Sequence, residues 1–137
     1  MYAIHENPNA IHCVKDQTHE LCMEAIQQES TTILHMKKKY IDISMIAIKK
    51  NCSLLKYIDD QNEDMCIEAV KQNGFVLKYV KEQTDAICME AVKQNGLALQ
   101  FVNNKTYDVQ LEAVKQNISA YRYIDNNNNN NNNCVQM

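Results

Sequence analysis

The sequence predicts an all-α chain, an α-solenoid of about five to six stacked short αα-hairpin repeats followed by a disordered polyasparagine tail. Three observations predict it. The hexapeptide EAVKQN returns every 22 residues, at 68–73, 90–95 and 112–117, and the frame extends backwards without a gap to copies near 1–21, 22–43, 44–65, 66–87, 88–109 and 110–125. One column is always alanine (Ala3, Ala25, Ala47, Ala69, Ala91, Ala113), and the next is always β-branched (Ile4, Ile26, Ile48, Val70, Val92, Val114). Within each copy the apolar residues fall three and four apart, the spacing of a helix face and not the alternation of a strand.

The copy at 84–105 shows how each unit is read. Thr84 and Asp85 can accept hydrogen bonds from the free amides of a first helical turn, and acid there suits the helix dipole. Thr18 and Thr106 hold the same column, with Glu63, Asp64 and Asp108 supplying acid nearby. A first helix then runs through AICMEAVKQ. Its apolar residues Ile87, Cys88, Met89, Ala91 and Val92 span about 200° of the circumference, roughly twice what a lone amphipathic helix needs. Such a helix must be covered by its hairpin partner and by both neighbouring copies. Alanine at an unvarying position fits a close helix crossing, where a larger side chain would part the axes.

Asn95-Gly96 and Asn73-Gly74 contain the chain's only two glycines, so they are expected to end the first helix in a left-handed residue and reverse the chain. Ser30 and Cys52 replace that glycine in earlier copies, so a different turn is expected there. A shorter second helix follows, roughly 97–103, with Ala98, Leu99 and Val102 turned inward, matched by Val76, Leu77 and Val80. The end copies differ: Pro8 enters the first, and Ile118 takes the glycine column in the last. The array is thus assigned to 1–125. Residues 126–137, opening with eight asparagines, cannot bury apolar surface and are expected to be disordered.

Composition removes several function classes. Fourteen basic and 17 acidic residues give a net charge of −3, so no global field favours nucleic acid or an anionic membrane. Neither a basic leader with an apolar core nor a run of about 20 apolar residues is present, so no secretory signal or membrane span is expected. Cys22, Cys66 and Cys88 share a column with Ser44 and Gln110, so these cysteines read as reduced core thiols of an intracellular protein. Two glycines 22 residues apart build neither a phosphate loop nor a dinucleotide loop. His5, His12, His19 and His35, with Cys13 and Cys22, lack metal-ligand spacing, so no metal is expected. Nothing resembles a catalytic constellation, so neither enzyme activity nor a cofactor is expected.

Two columns of cations remain as candidate surfaces. On the second helix Lys56, Lys78, Gln100 and Arg122 form a ridge flanked by Tyr57, Tyr79, Phe101 and Tyr123. Aromatics interleaved with cations can dock a protein partner, stack the bases of single-stranded nucleic acid, or simply fill space between copies. Lys49, Lys71, Lys93 and Lys115 form a second ladder on the first helix. Glu68, Glu90 and Glu112 stand three residues before the last three of them, close enough to pair and leave a nearly neutral, solvated face. The terminal CVQM formally matches a prenylation box at Cys134, although Gln136 sits where an aliphatic is usual and no polybasic segment precedes it.

EAVKQNG followed by LALQFV or FVLKYV resembles the short helical repeats of unknown function abundant in proteins of giant, mimivirus-like DNA viruses. The similarity is close over 66–117, fair over 23–65 and weak before that, and polyasparagine is common in such AT-rich genomes. The resemblance implies a viral protein made in the cytoplasm of the infected host; it implies no reaction and brings no catalytic residues. The leading expectation is a non-enzymatic viral scaffold that binds a host or viral protein through the Lys56–Arg122 ridge. The alternatives are a single-stranded nucleic-acid-binding repeat protein and a decaying paralogue without retained function.

Overall fold

The computed structural model describes residues 2–124 and, among them, contains helices and no strand. Six α-helices alternate with six short 3-10 helices. The α-helices are α1 (Tyr2–Glu6), α2 (His19–Gln28), α3 (Ile41–Lys50), α4 (Glu63–Gln72), α5 (Asp85–Gln94) and α6 (Tyr107–Gln116). The 3-10 helices are η1 (Pro8–Cys13), η2 (Ser30–His35), η3 (Cys52–Tyr57), η4 (Gly74–Tyr79), η5 (Gly96–Phe101) and η6 (Ile118–Tyr123). From α2 onward each α-helix packs on its own 3-10 partner and on both elements of the preceding copy, so the chain is an all-α repeat solenoid. The polyasparagine segment expected to be disordered lies outside the described residues.

The α-helices begin where the capping residues stand. Thr18, Thr84 and Thr106 accept from the amides of Leu21, Ile87 and Val109, and Asn62 does the same for Met65. Tyr40 opens α3 without a side-chain cap.

The short second elements differ in kind from the α-helix that an αα hairpin implies: all six are 3-10. Six residues at about 2.0 Å rise cover roughly 12 Å, nearer the 15 Å of a ten-residue α-helix than the 9 Å they would cover as α. The tighter winding therefore lets a six-residue piece lie along most of its partner.

The expected left-handed turn is absent. No described residue has positive φ, glycines included. Asn95 is extended (φ −152°, ψ 111°); its amide closes α5 on Ala91 while its side chain accepts from Leu97 and opens η5. Asn51, Asn73 and Asn117 repeat that double role, and Glu29 adopts the same backbone without the side-chain bond. Copies with Ser30 or Cys52 therefore turn as those with glycine do.

Glycine answers a different need. A β-carbon on Gly74 would stand 2.5 Å from the carbonyl oxygen of Ala91, and one on Gly96 would stand 2.2 Å from that of Ala113. The starts of η4 and η5 press against the backbone of the next α-helix at Ala91 and Ala113, so a side chain in place of either glycine would meet a carbonyl oxygen. Gln94 Oε1 and Gln116 Oε1 accept the freed amides of Gly74 and Gly96, at 2.7 and 2.5 Å. Where Ser30 and Cys52 replace glycine, the neighbouring copy engages through other groups. Lys50 Nζ donates to the carbonyls of Ile26 and Gln27, and Gln72 Nε2 donates to that of Ile48.

One continuous core results. Ala25, Ala47, Ala69, Ala91 and Ala113 are fully buried, as are Ile26, Ile48, Val70 and Val92, whereas Ala3 of the first copy is exposed. The inward stripes of η4 and η5 (Val76, Leu77, Val80 and Ala98, Leu99, Val102) are buried as expected. No copy encloses its own apolar face. Burial is a property of the seams, and stability should add up seam by seam.

Candidate functional site

The cation–aromatic ridge runs along η3 to η6. In a 3-10 helix, residues three apart line up, so Gly74, Leu77 and Val80 all face the core while Lys78 is carried outward. Lys56, Lys78, Gln100 and Arg122 are exposed; Tyr79, Phe101 and Tyr123 are half-buried, and Tyr57 is 44% exposed. The structure brings these residues together in a regular way. Lys56 Nζ lies 4.7 Å from the Tyr57 ring centroid and 5.8 Å from that of Tyr79. Lys78 repeats the pattern one copy on, 5.0 Å from Tyr79 and 5.8 Å from Phe101. Arg122 sits 6.0 Å from Tyr123. Each lysine thus bridges the ring of its own copy and the ring of the next, using the attraction of a cation for the electron-rich face. A hydrogen bond with Tyr57 raises the pKa of Lys56 above its ordinary value. Gln100 breaks the series, since its Nε2 turns back to the Leu97 carbonyl at 3.0 Å. The inner wall is completed by Phe75, edge-on to Phe101 with centroids 5.9 Å apart.

Among the described residues, Lys56, Lys78 and Arg122 form no ion pair with a carboxylate. The second ladder, Lys49, Lys71, Lys93 and Lys115, is exposed on α3 to α6, but its expected neutralisation is only partial. Lys93 Nζ meets Glu90 at 3.5 Å. Glu68 accepts instead from Gln72, and no contact joins Lys115 to Glu112. A carboxylate three residues away has more than one partner within reach, and the glutamine one residue beyond the lysine competes for it.

The histidines serve separate contacts. His19 Nε2 meets Asp42 Oδ2 at 2.7 Å and packs edge-on to Tyr40, and this bond holds the Asp42 carboxyl below its usual pKa. His12 contacts the Asn9 carbonyl and Cys13 Sγ, with the His35 ring 5.6 Å away. Among the described residues no three His, Cys, Asp or Glu side chains gather into a metal-holding group. Cys22, Cys66 and Cys88 are buried free thiols in the core column where they were expected. Burial raises all three, and with help from Glu63 and Asp85 it pushes Cys66 and Cys88 up to about 11. Cys134 lies outside the described residues. No described helix is long and apolar enough to cross a membrane.

One set of residues escaped the sequence reading although it repeats at the same period. Gln17, Gln61 and Gln83 reach between copies as amide staples. Gln83 Nε2 donates to the carbonyls of Leu77 (3.4 Å) and Phe101 (2.8 Å), while its Oε1 accepts from the amide of Asn103 at 2.9 Å. Gln61 does the same with Leu55, Tyr79 and Lys81, and Gln17 with Ile11, His35 and Lys37. The staples fix the C-terminal ends of consecutive 3-10 helices, and with them the spacing of the ridge rings. The signal was there, as glutamine at three positions of one column. Beside this seam a cavity of about 280 Å³ opens at the loop edge, lined by Asp59, Asp60, Glu63 and Glu82 and bordered by Lys81, which pairs with Asp59 at 3.2 Å.

Comparison with known proteins found no matching curated protein and no matching solved structure. A family model nonetheless matches residues 40–83 and again 86–128, more than half of the chain. The chain therefore belongs to the family described as a domain of unknown function, DUF4116.

Proposed function

We propose that the chain is a non-enzymatic viral repeat scaffold, acting in the cytoplasm of an infected host, whose ridge on η3 to η6 docks a protein partner. One observation supports this above the others. Lys56, Lys78 and Arg122 are exposed, lie against aromatic rings and are not ion-paired within the described chain. Aromatic residues and arginine on a rigid base are the side chains that anchor protein interfaces. The backbone that carries Tyr79 and Phe101 is held by the Gln61 and Gln83 staples, which lowers the cost of ordering it on binding.

The test is immunoprecipitation from infected cells with the wild-type chain and with a Lys56→Glu/Lys78→Glu/Arg122→Glu variant of unchanged circular dichroism. A protein recovered by the wild type and lost by the variant is expected. Equal recovery by both, or no reproducible protein with either, overturns the reading. The same interleaving of rings and cations favours single-stranded nucleic acid as a second reading. It requires a mobility shift whose strength falls steeply with salt, because bound phosphates release counterions.

A further inference from the structure

We propose that the ridge binds an extended acidic peptide in the polyproline II conformation, one carboxylate per turn of the peptide meeting one cation per repeat of the protein. The inference rests on the reading of the ridge as a docking surface and names what fits it. A Lys56 nitrogen 4.7 Å from one ring and 5.8 Å from the next holds those rings within about 10.5 Å, in keeping with the ~8–10 Å between packed helices. Lys78 sets the same limit one repeat on.

Polyproline II has three residues per turn and a rise of ~3.1 Å, so every third side chain faces the same way at ~9.3 Å. Against the ~8–10 Å that separates packed helices, a β-strand repeats on one face at only ~6.7 Å and loses register. An α-helix rises ~5.4 Å per turn and would bring an unmatched turn between successive cations. Proline rings in this conformation dock on aromatic-lined surfaces with little entropy to lose. Tyr57, Tyr79 and Phe101 provide such a surface between the lysines. Charge complements the geometry, because each lysine nitrogen has donors left beyond its contact with the rings. Gln100 carries no charge and spends its amide on Leu97, so the third turn of the bound peptide needs no carboxylate.

The experiment uses the full chain and fluorescence anisotropy with three probes. One is a labelled peptide of four Glu-Pro-Pro triplets, one is a peptide of the same composition with its glutamates contiguous, and one is oligothymidylate. The periodic peptide is expected to bind roughly tenfold tighter than the block peptide, as one or two additional charge-assisted contacts would give. Lys56→Glu/Lys78→Glu should abolish that preference. Gln100→Lys should tighten the periodic peptide several-fold and the block peptide by clearly less, since only the former can place a carboxylate in register with the new cation. Equal affinity for the two peptides, no response to Gln100→Lys, or tighter binding of oligothymidylate overturns the proposal. If immunoprecipitation yields a ridge-dependent protein while neither peptide binds, the docking surface stands and the polyproline II ligand is refuted.

Discussion

Replacing Gly96 by alanine should destabilise the array although alanine is the better residue for almost any helix. The added β-carbon would lie 2.2 Å from the Ala113 carbonyl oxygen, a backbone atom that cannot swing aside as a side-chain tip could. Overpacking of this kind costs about 1–3 kcal/mol. The same shift strains the Gly96–Gln116 hydrogen bond, which contributes about 0.5–1.5 kcal/mol. Against this, alanine restricts the unfolded chain and returns about 0.4–1 kcal/mol, since the native φ is one it can adopt. The last two terms nearly cancel, which leaves a net loss of about 1–3 kcal/mol. With a urea slope near 2 kcal/mol per molar, the midpoint should fall by about 0.5–1.5 M at unchanged slope. Ile118→Ala is the control: the column is the same but the site is 74% exposed, so stability should move by no more than about 0.5 kcal/mol. A Gly96→Ala variant as stable as the wild type, or more so, would refute the close-crossing account. Glycine would then have to be explained by the turn, which its backbone angles do not support.

Gln83→Ala should lower stability by about 2–4 kcal/mol in urea titration, because one amide serves two carbonyls and one N–H that are left without it. Gln83→Glu should do comparable harm at pH 7, where an ionised carboxylate cannot donate to Leu77 and Phe101, and should recover in part near pH 4; the absence of recovery would count against the staple. The thiols give a pH dependence. Cys66 and Cys88 ionise near 11 when folded but near 9 when unfolded, so the stability they contribute is complete below about pH 9 and lost as pH rises toward 11. A Cys66→Ala/Cys88→Ala variant should show a shallower alkaline decline in thermal midpoint than the wild type.

Much of the fold was legible because its determinants are local or periodic. Thr18, Thr84 and Thr106 lie within three residues of the amides they cap, and Ile87, Ala91 and Val92 share a helix face at spacings any amphipathic helix obeys. The ridge was legible as a column, since Lys56, Lys78, Gln100 and Arg122 recur at the repeat period. Its state was not. That Lys56 bridges Tyr57 and Tyr79, and that Gln100 folds back on Leu97, depends on how far apart successive copies settle. Glu68 was misassigned for a related reason, because helix spacing permits both Lys71 and Gln72 and only the packed geometry selects between them.

The sequence by itself determined the period, the α-helices with their caps, the buried alanine column and the outward cations, all consequences of what a residue does with its near neighbours. Tertiary structure alone decided that the second elements wind as 3-10, that Gly74 and Gly96 give room to the next copy and leave the turn to asparagine, and that Gln61 and Gln83 clamp the seams. Those outcomes are contacts between residues about 20 apart along the chain. No local rule sees them, and they are fixed only when two copies close to within a methyl group of each other.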